Sequence, residues 1–239
     1  HHEYAKRINV EGSLEEEMSK VLKHQIFVII SGLVLLSLYF SLIPTTHSNL
    51  DFKLLSNTNP ILLISFLLIS TLGISHGAFD GKIIWDNGSK KNSFILYFIY
   101  ISISLLGLFL WVLSPSLGLF ILLFISIIHF GHSDLAYIAS KKKYLEYSWG
   151  FAMTFMPVLF HHSSVGEIFY LLTESNTLPS SLGFLQYLVS LNLIFLSSYV
   201  LFNFFKMKDK IYLLLVGELI IMVLLGYYLH PLVWFGFYF

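Results

Sequence analysis

Two short stretches place metal-binding and proton-carrying groups together: "HGAFDGK" at 76–82 and "HFGHSD" at 129–134. In each, a histidine is followed within five residues by glycine and aspartate, giving His76, Gly77 and Asp80 in one and His129, Gly131 and Asp134 in the other. Imidazole ligates transition metals and titrates near neutral pH. A carboxylate about one turn away can orient such a ring by accepting its second N–H. His132 follows His129 by three residues, on roughly the same helix face. Glu218, in "LLLVGELIIMVLL", is a carboxyl set among apolar residues. The chain has no cysteine, so imidazole, carboxylate or water must hold any metal.

These groups sit in a chain suited to lipid. Of its 239 residues 56% are hydrophobic, 17% aromatic and only 12% charged, with a mean hydropathy of +0.76. A soluble domain cannot keep that much apolar surface from water. The formal net charge of zero leaves no basic stripe for nucleic acid. Apolar runs recur at roughly 25–43, 60–79, 93–113, 117–135, 147–160, 182–205 and 211–229, and another starts at Pro231. Most can cross a hydrocarbon core that takes about 20 helical residues. The run at 147–160 is short, and is expected to tilt, to kink at Pro157 or to extend past its polar end. The expected fold is an all-α polytopic membrane bundle, with about seven complete spans and a truncated eighth. Residues 1–17 are read as a tag ahead of a native start at Met18, and 18–239 as one transmembrane domain that lacks its native C-terminal end.

Lysines mark alternate loops. Lys20 and Lys23, then Lys82, Lys90 and Lys91, then Lys141, Lys142 and Lys143, and finally Lys206, Lys208 and Lys210 flank the runs, while the intervening loops hold Lys53 or none. That alternation predicts a cytoplasmic N-terminus. It also puts His76 and His129 at one depth, near the cytoplasmic ends of the second and fourth spans. Asp80 and Asp134 are open to two readings, as acceptors for those imidazoles or as helix-end charges beside lysines. A central carboxylate costs about 2 to 3 kcal/mol to insert, so Glu218 is expected to be protonated or partnered, in a structural or a site role. His161, His162 and His230 are read as ordinary interfacial histidines.

At these residues the chain resembles the Brp/Blh-type carotenoid dioxygenases of bacteria and archaea. The likeness rests on "HGAFDGK", "HFGHSD", "MPVLFHH" at 156–162, "GEL" at 217–219 and "HPLVWFGFYF" at 230–239. It implies an enzyme of the cell inner membrane that takes β-carotene from the lipid bilayer and cleaves it with O2 to two retinals, with a functional link to a retinal-binding rhodopsin. It also implies Fe(II) held by four histidines, of which His76 and His129 are present, and the other two are expected beyond Phe239. A site completed by His132 and a carboxylate is the less favoured alternative. Asp80, Asp134 and Glu218 would support the metal centre. Phe79, Phe130, Tyr137, Trp234 and Tyr238, nearest the motifs, would line the substrate slot, although membrane helices use aromatics freely. The rival function is a transporter or proton relay through His76, His129, Asp80, Asp134 and Glu218. An opsin is excluded, because the run at 211–229 has no lysine for a Schiff base. Cysteines in place of Lys142 and Lys208 should label only from the cytoplasm, and one in place of Ser163 only from outside; labelling of positions 142 and 163 from one side would refute this topology.

Overall fold

The computed structural model describes residues 22–23, 25–41, 90–135, 143–175, 177–207 and 210–238. His76, Phe79, Asp80, Tyr137 and the run at 60–79 lie outside the described residues. The described residues form helices with no strand: α1 Gln25–Ser41, α2 Lys90–Leu113, α3 Pro115–Leu135, α4 Lys143–Phe160, α5 His162–Thr173, α6 Thr177–Met207, α7 Lys210–Tyr228 and α8 Pro231–Tyr238. Four segments among them are long and apolar enough to cross a membrane: Phe94–Leu113, Pro115–Leu135, Ser181–Met207 and Ile211–Tyr228. Their exposed side chains include Phe94, Phe98, Val112, Phe120, Phe202 and Leu213. A helix apolar on nearly every face suits lipid better than water.

Proline and glycine set the local breaks. Pro115 lacks an N–H and opens α3 at the first helical position, where that donor has no intrahelical partner in any case. A Cβ at Gly118 would stand 2.9 Å from the Trp111 Cα, so the chain folds back sharply between α2 and α3 and only glycine fits there. The run at 147–160 is extended past its polar end rather than broken, with Pro157 buried in the last turn of α4. The segment between the runs at 147–160 and 182–205 carries α5, whose Val165, Gly166, Phe169 and Thr173 are buried along one face. Twelve residues with interspersed polar groups are too few to span, so the run has no membrane signature.

The chain divides into two compact units, one of residues 1–47, 125–160 and 184–228, the other of 48–124, 161–183 and 229–239. In the first unit α4 is the most enclosed helix, with Trp149, Ala152, Met153 and Met156 fully buried. It runs antiparallel to α3, because Gly131 meets the Glu146 carbonyl and Gly150 meets the Ile127 carbonyl. It is antiparallel to α6 as well: Ser148 pairs with Asn192, and Gln186 Nε2 donates to the Leu159 carbonyl at 2.9 Å. α1 and α7 are parallel, since Ile29 lies against Gly217, Gly32 against Ile221, and the Phe40 and Tyr228 rings are 4.7 Å apart. Met156 against Gly226, and the Phe160 ring 5.3 Å from that of Tyr227, bring the C-terminal ends of α4 and α7 together, so the two helices run parallel. Helices α1, α4 and α7 therefore run one way, and α3 and α6 the other.

The α3–α4 crossing is made backbone to backbone. A Cβ on Gly150 would overlap the Ile127 carbonyl oxygen and stand 2.8 Å from the Gly131 nitrogen, while one on Gly131 would overlap the Glu146 carbonyl oxygen. Small residues let membrane helices approach this closely. Gly150→Ala should lower stability by about 1 to 3 kcal/mol, because neither backbone can yield. The measurement is the thermal midpoint of the detergent-solubilised protein, with Gly183→Ala as control, since a Cβ at Gly183 meets nothing within 4 Å. Equal midpoints for the two variants would refute the contact.

Candidate functional site

The glycine crossing divides "HFGHSD" between two faces of α3. Phe130, Gly131 and Leu135 are buried and Asp134 is half-buried, whereas His129, His132 and Ser133 are exposed. The rule that intramembrane polar groups face the interior thus holds for Asp134 but not for the two imidazoles. His129 and His132 share the open face, one turn apart, and the His129 ring lies edge-on to Phe130 at 5.7 Å.

Behind that face stands a carboxylate. Glu146, in the first turn of α4, is buried to 3% exposure. Its Oε2 accepts from His132 Nδ1 at 3.2 Å and from Lys143 Nζ at 3.2 Å. An ionised carboxylate only accepts, so in this contact the His132 Nδ1 is the donor. One turn deeper, the Trp149 indole N–H donates to Asp134 Oδ2 at 3.2 Å. Glu218 of α7 is buried to 2% exposure and lies within electrostatic range of Asp134. The first unit therefore holds a His132–Glu146–Lys143 chain at the helix ends, an Asp134–Trp149 hydrogen bond further in, and the buried Glu218 on α7.

The second unit has its own buried imidazole. His230 precedes Pro231 at the start of α8, and its Nδ1 accepts the Leu232 N–H at 3.3 Å. The imidazole thereby caps the helix, a role usually taken by Ser, Thr, Asp or Asn. Its carbonyl accepts from Val233 and Trp234 at 2.9 and 3.0 Å. Burial, reinforced by nearby His161, lowers the His230 pKa to about 4. Further along α8, Trp234 is fully buried and its ring is 4.5 Å from that of Tyr238.

The profile of one protein family, described as beta-carotene 15,15'-dioxygenase, matches residues 67–239. The chain belongs to the beta-carotene 15,15'-dioxygenase family. A beta-carotene 15,15'-dioxygenase of uncultured marine bacterium 66A03 is 29% identical over 181 residues, which cover 72% of this chain and 62% of that protein. The chain thus spans less than two thirds of the length of the curated relative it matches. No solved structure matches.

The dioxygenase-family match takes in both histidine motifs and all the polar groups above. Of the expected site residues, the structure gathers Asp134 and Glu218 in one unit with His129, His132 and Phe130, and sets Trp234 beside Tyr238 in the other. His76, Asp80, Phe79 and Tyr137 fall outside the described residues. Among the described residues no group of three His, Cys, Asp or Glu side chains could hold a metal. Sequence reasoning missed Glu146 and Trp149. The available signal was a lone carboxylate one turn after the lysine cluster, followed one turn further on by Trp149 and Gly150.

His230 sets a pH dependence whose sign follows from its lowered pKa. As pH falls, the unfolded chain takes up the proton at about 6.5, before the folded chain does at about 4. The imidazole therefore makes no difference to stability above about 6.5, and stability is lost as pH falls from there toward about 4. The thermal midpoint in detergent should drop between about pH 7 and 5, and His230→Asn, which keeps a cap acceptor but does not titrate, should flatten the drop. An identical drop in the variant would show that other groups cause it.

Proposed function

We propose that this chain acts in the lipid bilayer as a dioxygenase that uses Fe(II) and O2 to cleave β-carotene at its central double bond into two retinals. The observation that carries this is the family match over 67–239, which includes every chemical group described above. The marine bacterial relative, named for the same reaction, supports it. So do the long apolar helices, which suit a bacterial or archaeal inner membrane, with the N-terminus proposed to be cytoplasmic.

The donors fit iron in kind. The chain offers imidazole and carboxylate but no thiolate, and His129 with His132 presents two imidazoles on one open helix face. We propose His76 and His129 as ligands. Bound Fe(II) would supply the binding and activation of O2. In the overall reaction the central C=C breaks and each of its carbons gains one oxygen atom. The electrons that O2 takes come from the broken bond, so no reductant is consumed. Asp134, tied to the Trp149 indole, fixes the end of α3 and keeps the imidazole face outward. The apolar outer surface lets a hydrocarbon polyene approach from lipid. A retinal-binding rhodopsin is the proposed user of the product.

The buried Glu218, in one unit with the half-buried Asp134, also favours a second function, a proton relay. Expression of the full-length protein in β-carotene-producing cells separates the two. Bleaching with retinal accumulation, about one iron per chain, and loss of both iron and at least about 100-fold of the activity in His129→Ala are expected of the dioxygenase. Intact carotenoids in cells whose purified protein holds no iron would sink it and favour the relay.

A further inference from the structure

We propose that the aromatic face of α6, tipped by Lys206, is a binding site for an anionic phospholipid, which lays an acyl chain along the rings and sets its phosphate at the ammonium. This is independent of the dioxygenase reaction and rests only on the bilayer placement proposed above.

Phe195, Tyr199, Phe202 and Lys206 follow one another at intervals of four, three and four residues, so they lie on one face of α6. Tyr144, in the first turn of α4, joins them from the side. Its ring is 6.4 Å from that of Phe195 and 6.4 Å from that of Tyr199, and those two are 6.2 Å apart. Tyr144, Phe195 and Phe202 are exposed, so these rings form an outer surface and no core. The Lys206 Nζ lies 5.8 Å from the centre of the Phe202 ring, which keeps the charge over the apolar face. From Phe195 to Lys206 the helix rises about 16 Å. One leaflet supplies half of a hydrocarbon core about 30 Å thick, so the face has the length of one acyl chain with the cation at its head.

The surrounding charge selects the headgroup. Because α3 and α6 run against α1 and α4, the starts of α1 and α4 and the ends of α3 and α6 lie at the same end of the first unit. Among the described residues there, Lys23, Lys143 and Lys206 are exposed. The acids are turned away from solvent: Glu146 is buried and accepts from His132 and Lys143, and Asp134 is half-buried and accepts from Trp149. An anionic headgroup meets this end with net attraction, whereas a zwitterionic one brings a cation of its own.

The test titrates full-length protein in a non-ionic detergent with phosphatidylglycerol, phosphatidylcholine or inorganic phosphate, and reads bound ligand by native mass spectrometry and stability by the thermal midpoint. Phosphatidylglycerol should saturate at one molecule per chain, bind at least about 5-fold more tightly than phosphatidylcholine and raise the midpoint, while inorganic phosphate, which has no chain to fill the ring face, should do neither. Lys206→Gln and Tyr144→Ala should each weaken phosphatidylglycerol about 5-fold, and Lys23→Gln, which removes the same charge at the same end but on another helix, should change it less than about 2-fold. Equal affinity for the two lipids, equal losses in Lys206→Gln and Lys23→Gln, or a midpoint raised as far by inorganic phosphate would overturn the site. Should Tyr144→Ala lower the midpoint without lipid, Lys206→Gln against Lys23→Gln decides alone. Full-length protein that alkaline carbonate strips from membranes would overturn the bilayer placement and the site together; protein that resists carbonate yet shows no preference for phosphatidylglycerol overturns the site alone.

Discussion

Two glycines, Gly131 and Gly150, let helices α3 and α4 touch through their backbones, and the placement of the polar groups in the first unit follows from that touch. Apolar chains in lipid have no hydrophobic drive to associate, so close contact must come from fit between surfaces. With no Cβ at either position, each glycine accepts a carbonyl of the other helix against its Cα. This sets the register: Ile127 lies opposite Gly150, and Gly131 opposite Glu146. From that register His132 comes within reach of Glu146, and Asp134 within reach of the Trp149 indole.

The remaining polar groups illustrate how a lipid-suited chain satisfies them. In a medium without water an unpaired donor or acceptor is costly, and several polar side chains of the first unit are joined to neighbours or to the backbone. Asn192 Nδ2 donates to the Ser148 carbonyl at 2.8 Å, and Thr154 returns its hydroxyl to the Gly150 carbonyl at 2.8 Å. Gln186 ties α6 to the end of α4, where Pro157 has removed an amide donor from the ladder. Glu146 accepts from His132 and Lys143 at the helix end. Each bond lies within one unit and helps to hold that unit's helices in register.

Membership of the dioxygenase family and the local geometry bear on different links of the chain from sequence to function. The family match connects the ordered motifs to a reaction class. The geometry says which atoms of those motifs face outward and which are used up in holding helices together. Asp134 belongs to the second kind, since its Oδ2 takes the Trp149 N–H. His129 and His132 belong to the first. His230, read from sequence as an ordinary interfacial histidine, has a structural duty as the cap of α8, and its burial follows from that duty.

The sequence by itself determined the helices, their approximate ends and their alternating directions. These depend on local matters: the length of an apolar run against the bilayer, proline at 115 and 231, and lysines in alternate loops. It also drew attention to "HFGHSD" and Glu218 as polar groups within apolar runs. It did not determine which face of α3 each group would take, because both faces of that helix are apolar and no amphipathic stripe marks an inside. Only the tertiary structure decided that, through the approach of Gly131 to Gly150. Glu146 and Trp149 were likewise illegible in sequence, since their importance lies in partners 14 and 15 residues away that only a packed helix pair brings to hydrogen-bonding distance. Helix α5 and the His230 cap escaped for the same reason: a short buried face and a single side-chain acceptor acquire meaning only from what surrounds them.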